Sequence, residues 1–412
     1  MIDIAILRKQ PELVRELVRK RGSGVDVERL ISVDTEVRAI QTDLERLRHE
    51  RRNLAANGDR SQAQRLRDDV AELETKFAVL RDERDGLWAL LPNLLPEDTP
   101  EGEDDAGNLE IDRWGDLPEF SFTPKTHEVI GAELDILDLK RGTRTAGAGF
   151  YYWKGDGARL AWAIFSLALD FLSKREFVPM MTPQVARRRT LFGTGYLPFF
   201  EEEVYKIAGE DLCLIGTSEQ TLVGYHDDEI LADTDLPLKY TAFSACFRTE
   251  AGAAGKKSRG AFRVHQFHKV EQIVFCRPHE SEEYHQQCQR NVSDFMRLLE
   301  IPHRTVRVCL GDLGAPAYKK YDVEGWFAGF GMYRETHSNT NLLDYQTRRL
   351  NVRCRGAEGT FFPHTISATM ITDRAALAIL ENNQQADGSV VIPDALRPLL
   401  AGQREIVRRP GP

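Results

Sequence analysis

Long apolar runs are missing from this 412-residue chain. The nearest to one, WAIFSLALDFL (162–172), is soon cut by Lys174 and Arg175 and falls well short of the roughly 20 residues a membrane helix needs. The first residues, MIDIAILRKQPELV, carry charges where a secretory leader needs an apolar core. Paired cysteines are missing too. Cys213, Cys246, Cys276, Cys288, Cys309 and Cys354 are scattered with no C-x-x-C spacing, which excludes a small disulfide framework and argues against a zinc site. They are expected to be reduced thiols packed as small hydrophobes, in a cytoplasmic setting. Nor is there an excess of positive charge: 64 acidic against 55 basic residues leave a net −9, which excludes a general nucleic-acid coat but leaves room for a local basic patch. No internal repeat is visible. The length allows two or three domains with a large core.

What is present begins with a heptad pattern. Leu30, Val33, Val37, Ile40, Leu44, Leu47 and Leu54 follow steps of three and four, with Arg51 filling one seam position. After AANGDR, with a turn at Asn57-Gly58, the pattern resumes at Leu66, Val70, Leu73, Phe77, Leu80, Leu87 and Leu91. This predicts an antiparallel helical hairpin over about 28–91, with helices of roughly 25 residues reaching on the order of 40 Å. Arg46, Arg48, Arg51, Arg52, Arg60, Arg65 and Arg67 gather near its tip. Taken alone, such a cluster describes a solvated coiled-coil face. Residues Pro92 to Asn108, rich in proline and acid, read as a linker, with domains expected at 1–105 and 106–412. Beyond it, short apolar runs (DLCLIG, LKYTAFSACF, QIVFC, RTVRVCL) alternate with turns, and helical patterns sit around 158–173, 280–299 and 374–385. The expected class is α+β, around a mainly antiparallel sheet. The tail GQREIVRRPGP is expected to fray.

The chemistry concentrates in FRTEAGAAGKKSRGAFRVHQFHKVE, Phe247 to Glu271. Arg248 offers a planar fork for a carboxylate or phosphate. Phe267 offers a flat face for a base, and Glu250 an acceptor for an exocyclic amine. The glycine-rich loop between them brings Lys256, Lys257 and Arg259 as positive charge for a polyphosphate. A charged, glycine-punctuated hairpin is also what a plain surface turn looks like; the order Arg-x-Glu, basic loop, aromatic is the specific part. Upstream, LIGTSEQ places Thr217 and Glu219 where both can accept from an ammonium. A buried Glu271 needs a partner. Downstream stand YRETHSNTNLLDYQTRR (333–349) and HTISATMITDR (364–374), the latter followed by an amphipathic stretch headed by Arg374. His337, His265 and His268 read as satisfied polar residues of strands before they read as ligands.

The Phe247–Glu271 segment resembles motif 2 of the class II aminoacyl-tRNA synthetases, and its wording is similar to the seryl branch. FVPMMTPQV, with Pro183, resembles motif 1, and AALAILENNQQADGSVVIPDALRPLL resembles motif 3. The resemblance runs over nearly the whole chain. It implies a class II antiparallel sheet with flanking helices, a coiled-coil arm that binds tRNA(Ser), and a homodimer, with neither a membrane nor DNA as partner. It implies ATP and L-serine as substrates and Mg²⁺ as a cofactor. Serine would be held by Thr217, Ser218, Glu219, Arg248, Glu271, Ser367 and Thr369. ATP would be held by Arg248, Thr249, Glu250, Val264, Phe267, Glu335, Thr336, His337, Ser338 and Arg374, with Mg²⁺ on Glu335 and Ser338. Arg248 and Arg374 are the catalytic pair, and the arginines of the tip become phosphate contacts. The chain departs from the family pattern at Ser367, where an asparagine is usual, at Asp373, where a small residue is usual, and by one residue fewer between Thr369 and Arg374. The arm is shorter by about two heptads. Two other readings stay open. One is a paralogue that activates serine for another acceptor or protects its host from a serine-analogue antibiotic. The other is a catalytically silent tRNA-binding regulator, against which the intact Arg248, Glu250, Glu335, Ser338 and Arg374 count.

Overall fold

The computed structural model describes residues 1–57, 60–251 and 260–408, with Arg60 described by its backbone alone. The chain divides into two compact units, Met1–Leu94 and Leu95–Pro412. The first contains α1 (Ile4–Lys9), α2 (Pro11–Lys20), α3 (Val27–Ala56) and α4 (Arg60–Ala89). Asp26 caps α3 by accepting from the Arg29 amide at 2.9 Å. Val33, Val37, Ile40 and Leu44 of α3 bury against Val70 and Leu80 of α4, so the heptad seam is the core of the hairpin. Both helices run 30 residues, about five more than expected: α3 overruns its seam at both ends, and α4 starts six residues before Leu66 and stops at Ala89, short of Leu91. Gly58 of the expected turn lies outside the described residues. At the base, buried Asp34 accepts a forked pair of bonds from Arg8 at 2.8 and 2.7 Å.

The described residues of the second unit form a mixed eight-stranded sheet. Its strands are β1 (Leu109–Trp114), β2 (Val178–Met180), β3 (Leu238–Phe247), β4 (Gln266–Cys276), β5 (His303–Arg307), β6 (Lys319–Phe327), β7 (Met332–Leu343) and β8 (His364–Thr372). Their order is β1-β5-β6-β7-β8-β4-β3-β2, antiparallel except for the edge pair β2–β3. With the helices that flank it, this is the α+β architecture the sequence predicts. Helices α5 (His127–Glu133), α6 (Gly155–Ser173), α7 (Ser281–Leu298) and α8 (Arg374–Asn382) surround the sheet. Phe171 of α6 meets Phe295 of α7 edge-on, with centroids 5.3 Å apart.

Strand alternation assigns the faces. On β4, Gln272 turns to α7 and accepts from Asn291 Nδ2 at 2.8 Å, so Glu271 faces the other way. On β7, Asn339 donates to the His285 carbonyl of α7 at 3.0 Å, so Ser338 also faces away from the helix. Residues 95–108, read above as a linker, fold against the second unit. The Leu310 amide donates to the Pro100 carbonyl at 2.9 Å, and the Cys309 amide to Asn108 Oδ1 at 2.8 Å. The tail also differs from expectation: Glu405–Ile406 pairs with Val390–Val391, and Ile406 is buried. A two-residue strand is too short to leave a period in the sequence. All six cysteines are buried and unpaired. Among the described residues no helix is long and apolar enough to cross a membrane.

Candidate active site

On the face of the sheet opposite α7 lies a cavity of about 230 Å³ lined by Tyr196, Glu219, Arg248, Lys269, Glu271, Lys320, Ser338 and Ser367, among others. Glu271 sits at its floor. In register it faces Ala242 of β3 on one side and Thr369 of β8 on the other. Its carboxylate accepts from Thr217 Oγ1 at 3.0 Å and Ser367 Oγ at 3.3 Å and pairs with Lys269, two residues earlier on the same face. The buried acid is therefore satisfied by two hydroxyls and a cation, all at hydrogen-bonding range.

Glu219 opens the short helix that follows the Thr217 loop. It accepts from Gln346 Nε2 at 2.8 Å. Burial, with the Glu271 charge second, pushes its carboxyl up to about 7. Across the cavity Lys320 Nζ lies 2.9 Å from Asp322 Oδ2, and burial raises the Asp322 carboxyl from its ordinary range.

Arg248 is fixed by its backbone, which exchanges bonds with His265: the Arg248 amide donates to the His265 carbonyl, and His265 Nδ1 donates to the Arg248 carbonyl, both at 3.0 Å. Its guanidinium stands 5.4 Å from the centre of the Phe267 ring. Its buried Nε has no hydrogen-bond partner among the described residues. A buried, unpaired guanidinium donor is what an anion-binding group looks like before its ligand arrives.

The E-x-x-S spacing of β7 would place Glu335 and Ser338 on opposite faces of a regular strand. Here it does not. Ser338 pairs with Asp322, His337 with Val323, and Glu335 already with Glu324, so β7 carries one extra residue at Thr336. This bulge returns Glu335 to the Ser338 face. Arg374 Nη1 donates to the Glu335 carbonyl at 2.7 Å and lies 3.9 Å from Glu335 Oε1, while its guanidinium covers the Phe262 ring at 4.4 Å. Arg374 heads α8, where the helix end adds positive potential. Among the described residues no group of three or more His, Cys, Asp or Glu forms a metal cage. Two protein oxygens, from Glu335 and Ser338, suit a cation that takes its remaining ligands from phosphate and water, which is the habit of Mg²⁺.

Not every expected residue lines the cavity. Ser218 spends its hydroxyl on the Ala242 carbonyl at 3.4 Å. Thr336 bonds the Val323 carbonyl at 2.9 Å, and His337 leans on Thr336 at 2.7 Å, its pKa depressed to about 3 by burial. Val264 is packed into the core. Thr249 is tied to the Glu202 and Glu203 carbonyls, and Glu250 to Arg263 Nε at 2.9 Å. Asp373, at the usual place of a small residue, is not among the lining residues; it accepts from Trp153 Nε1 at 3.0 Å and from the His268 amide. Lys256, Lys257 and Arg259 lie outside the described residues. Sequence reading missed Lys269, Lys320 and Tyr196. The i, i+2 pairs Lys269/Glu271 and Lys320/Asp322 were a usable signal, since both members of each share a strand face; Tyr196 had none. On the arm, Arg46 pairs with Asp43 at 3.2 Å and Arg48 with Glu74 at 2.7 Å. Arg52, Arg65 and Arg67 are exposed, with no ion pair among the described residues.

Comparison with known proteins points to one family. Residues 1–95 match the seryl-tRNA synthetase N-terminal domain, and residues 202–383 match the tRNA synthetase class II core domain (G, H, P, S and T). The serine--tRNA ligase of Dictyoglomus turgidum is 41% identical over 97% of this chain and 98% of its own length. The crystal structure of seryl-tRNA synthetase from Pyrococcus horikoshii complexed with ATP superimposes with a TM-score of 0.93 at 38% identity, covering 100% of both chains. Cytoplasmic serine-tRNA ligase from Naegleria fowleri in complex with AMP gives 0.89 at 31% identity over 100% of this chain and 99% of the other. With a relative 41% identical over 97% of the chain and a solved structure that superimposes on all of it, the chain belongs to the seryl-tRNA synthetase family.

Proposed function

We propose that the protein activates L-serine with ATP and transfers it to the 3′ end of tRNA(Ser). The carrying observation is the cavity itself. Arg248, half-buried and with a buried Nε that has no hydrogen-bond partner among the described residues, lines the same cavity as a carboxylate, Glu271, that is already organised around hydroxyl donors. In the first step a serine carboxylate oxygen attacks the α-phosphorus of ATP, and the bond to the bridging oxygen of the leaving pyrophosphate breaks. In the second, a terminal ribose hydroxyl of tRNA attacks the seryl carbonyl and AMP leaves. The cavity contributes position and charge: Arg248 orients the serine carboxylate and α-phosphate, and Glu219 with Thr217 takes the ammonium. Glu271 with Ser367 and Thr369 reads the substrate hydroxyl. Phe267 carries the adenine face, and Arg374 grips the terminal phosphate. Mg²⁺, held by Glu335 and Ser338, would neutralise phosphate charge.

The N-terminal unit is the proposed tRNA-binding domain and the second unit the catalytic one. Arg52, Arg65 and Arg67, exposed and without ion pairs among the described residues, support phosphate contact by the arm, with affinity that falls as salt rises. A homodimer through α6 and β2 is supported by exposed Trp162, Val178 and Met181, apolar side chains on a helix, on an edge strand and just beyond it. Six unpaired cysteines support work in the reducing cytoplasm. The test is side-by-side activation of serine, threonine, alanine and glycine, followed by charging of purified tRNA. Serine should be activated well ahead of the others and transferred. Activation without any transfer to tRNA would favour an enzyme that serves another acceptor.

A further inference from the structure

We infer that His127, held by Glu381, is a positioning residue that sets the place of Arg374 by anchoring the chain at Ala261. The inference rests on the proposed role of Arg374 at the ATP phosphates and deepens it. His127 and Glu381 are both fully buried, at the start of α5 and near the end of α8. Glu381 Oε1 accepts from the His127 amide at 3.0 Å and from His127 Nδ1 at 2.6 Å, and Glu381 Oε2 accepts from the Gly329 amide at 2.8 Å. On the far side of the imidazole, the Ala261 amide donates to Nε2 at 3.1 Å. An amide can only donate, so Nε2 holds the lone pair and Nδ1 the proton. The carboxylate thus fixes the tautomer that receives Ala261.

The chain passes flush over this ring. Gly260 has φ +70°, and a Cβ there would lie 2.3 Å from His127 Nε2. The next residue but one is Phe262, whose ring carries the Arg374 guanidinium at 4.4 Å and whose carbonyl lies 3.5 Å from Arg374 Nη2. Arg374 and Glu381 belong to the same helix, about two turns apart and on one face. The contacts therefore close a circuit: Arg374, Phe262, Ala261, His127, Glu381, and back along α8. An apolar pair in place of His127 and Glu381 would fill the same space. What the hydrogen-bonded pair adds is a defined position for Ala261, and through Phe262 for the arginine.

The experiment measures pyrophosphate exchange with ATP and serine varied separately, alongside thermal melts, for H127N, H127Q, R374A and H127N/R374A. Asparagine keeps a donor near the place of Nδ1 but has nothing at the place of Nε2; glutamine puts an acceptor there. Losing the one bond to Ala261 should raise the ATP KM of H127N by about tenfold. The serine KM should stay within about twofold of wild type, as expected for a site the anchor does not touch. H127Q should recover most of the loss, and H127N should add little in the R374A background. Two results would overturn the inference: an unchanged ATP KM in folded H127N while R374A raises it, or H127N and H127Q impaired alike with the serine and ATP KM moving together. Unchanged ATP kinetics in R374A would instead remove the reading of Arg374 from which the inference starts.

Discussion

Serine capture should depend on pH through Glu219. Burial and the neighbouring Glu271 push its carboxyl up to about 7, so in the free protein it is protonated below that pH and charged above it. The ammonium of serine pairs only with the charged form. A raised carboxyl therefore makes binding weaker as pH falls through this range, where an ordinary carboxylate, ionised throughout, would leave it level. One unit below its pKa about a tenth of the carboxyl is ionised, and the apparent affinity drops by that fraction, so the serine KM at pH 6 should be about tenfold that at pH 8. The assay is pyrophosphate exchange at saturating ATP with serine varied between pH 5.5 and 8.5. E219Q, which cannot ionise, should show a high and level serine KM throughout. Asp322, behind the lining residue Lys320, is also raised by burial but is bound to that lysine, so D322N should keep the slope. A level wild-type profile, or one that survives unchanged in E219Q, would refute the assignment of Glu219 as the counter-ion.

E271Q should lose the carboxylate that Thr217, Ser367 and Lys269 surround and narrow the preference for serine over alanine by about a hundredfold or more, read from exchange rates with each amino acid. Removing residues 45–68 should leave exchange within about twofold while weakening tRNA charging, since the arm buries its seam within its own unit; equal loss of both activities would contradict that independence. F295A removes a fully buried ring from between α7 and α6 and should cost about 3–5 kcal/mol in urea unfolding of the second unit, whereas a cost below about 1 kcal/mol would mean the helix layer is not the core described.

Elements with a strong pattern were legible in the sequence: the Leu30–Leu44 seam, the three amphipathic helices, the β3 strand that leads into Arg248 and the β4 strand that carries Glu271. The hydroxyl set of Thr217 and Ser367 was legible as candidates, but their meeting on Glu271 depends on three segments brought together by strand order, which no local pattern encodes. The Thr336 bulge was hidden for a similar reason. E-x-x-S looks the same whether or not a residue is extruded, and only pairing with β6 reveals that Glu335 rejoins Ser338. His127 and Glu381 stand 254 residues apart, and nothing in either neighbourhood marks them as a pair. The tail misled because Ile406 packs through a two-residue strand.

Serine-dependent pyrophosphate exchange, run on the wild-type protein and on R248A, bears most directly on the central claim that the cavity around Arg248 forms seryl adenylate. The wild type should exchange label with serine and ATP. R248A should fall by about 10²–10³ in rate, the loss typical of removing one preorganised charge-stabilising donor. Exchange by R248A at the wild-type rate, or no exchange by the wild type with any amino acid, would contradict it.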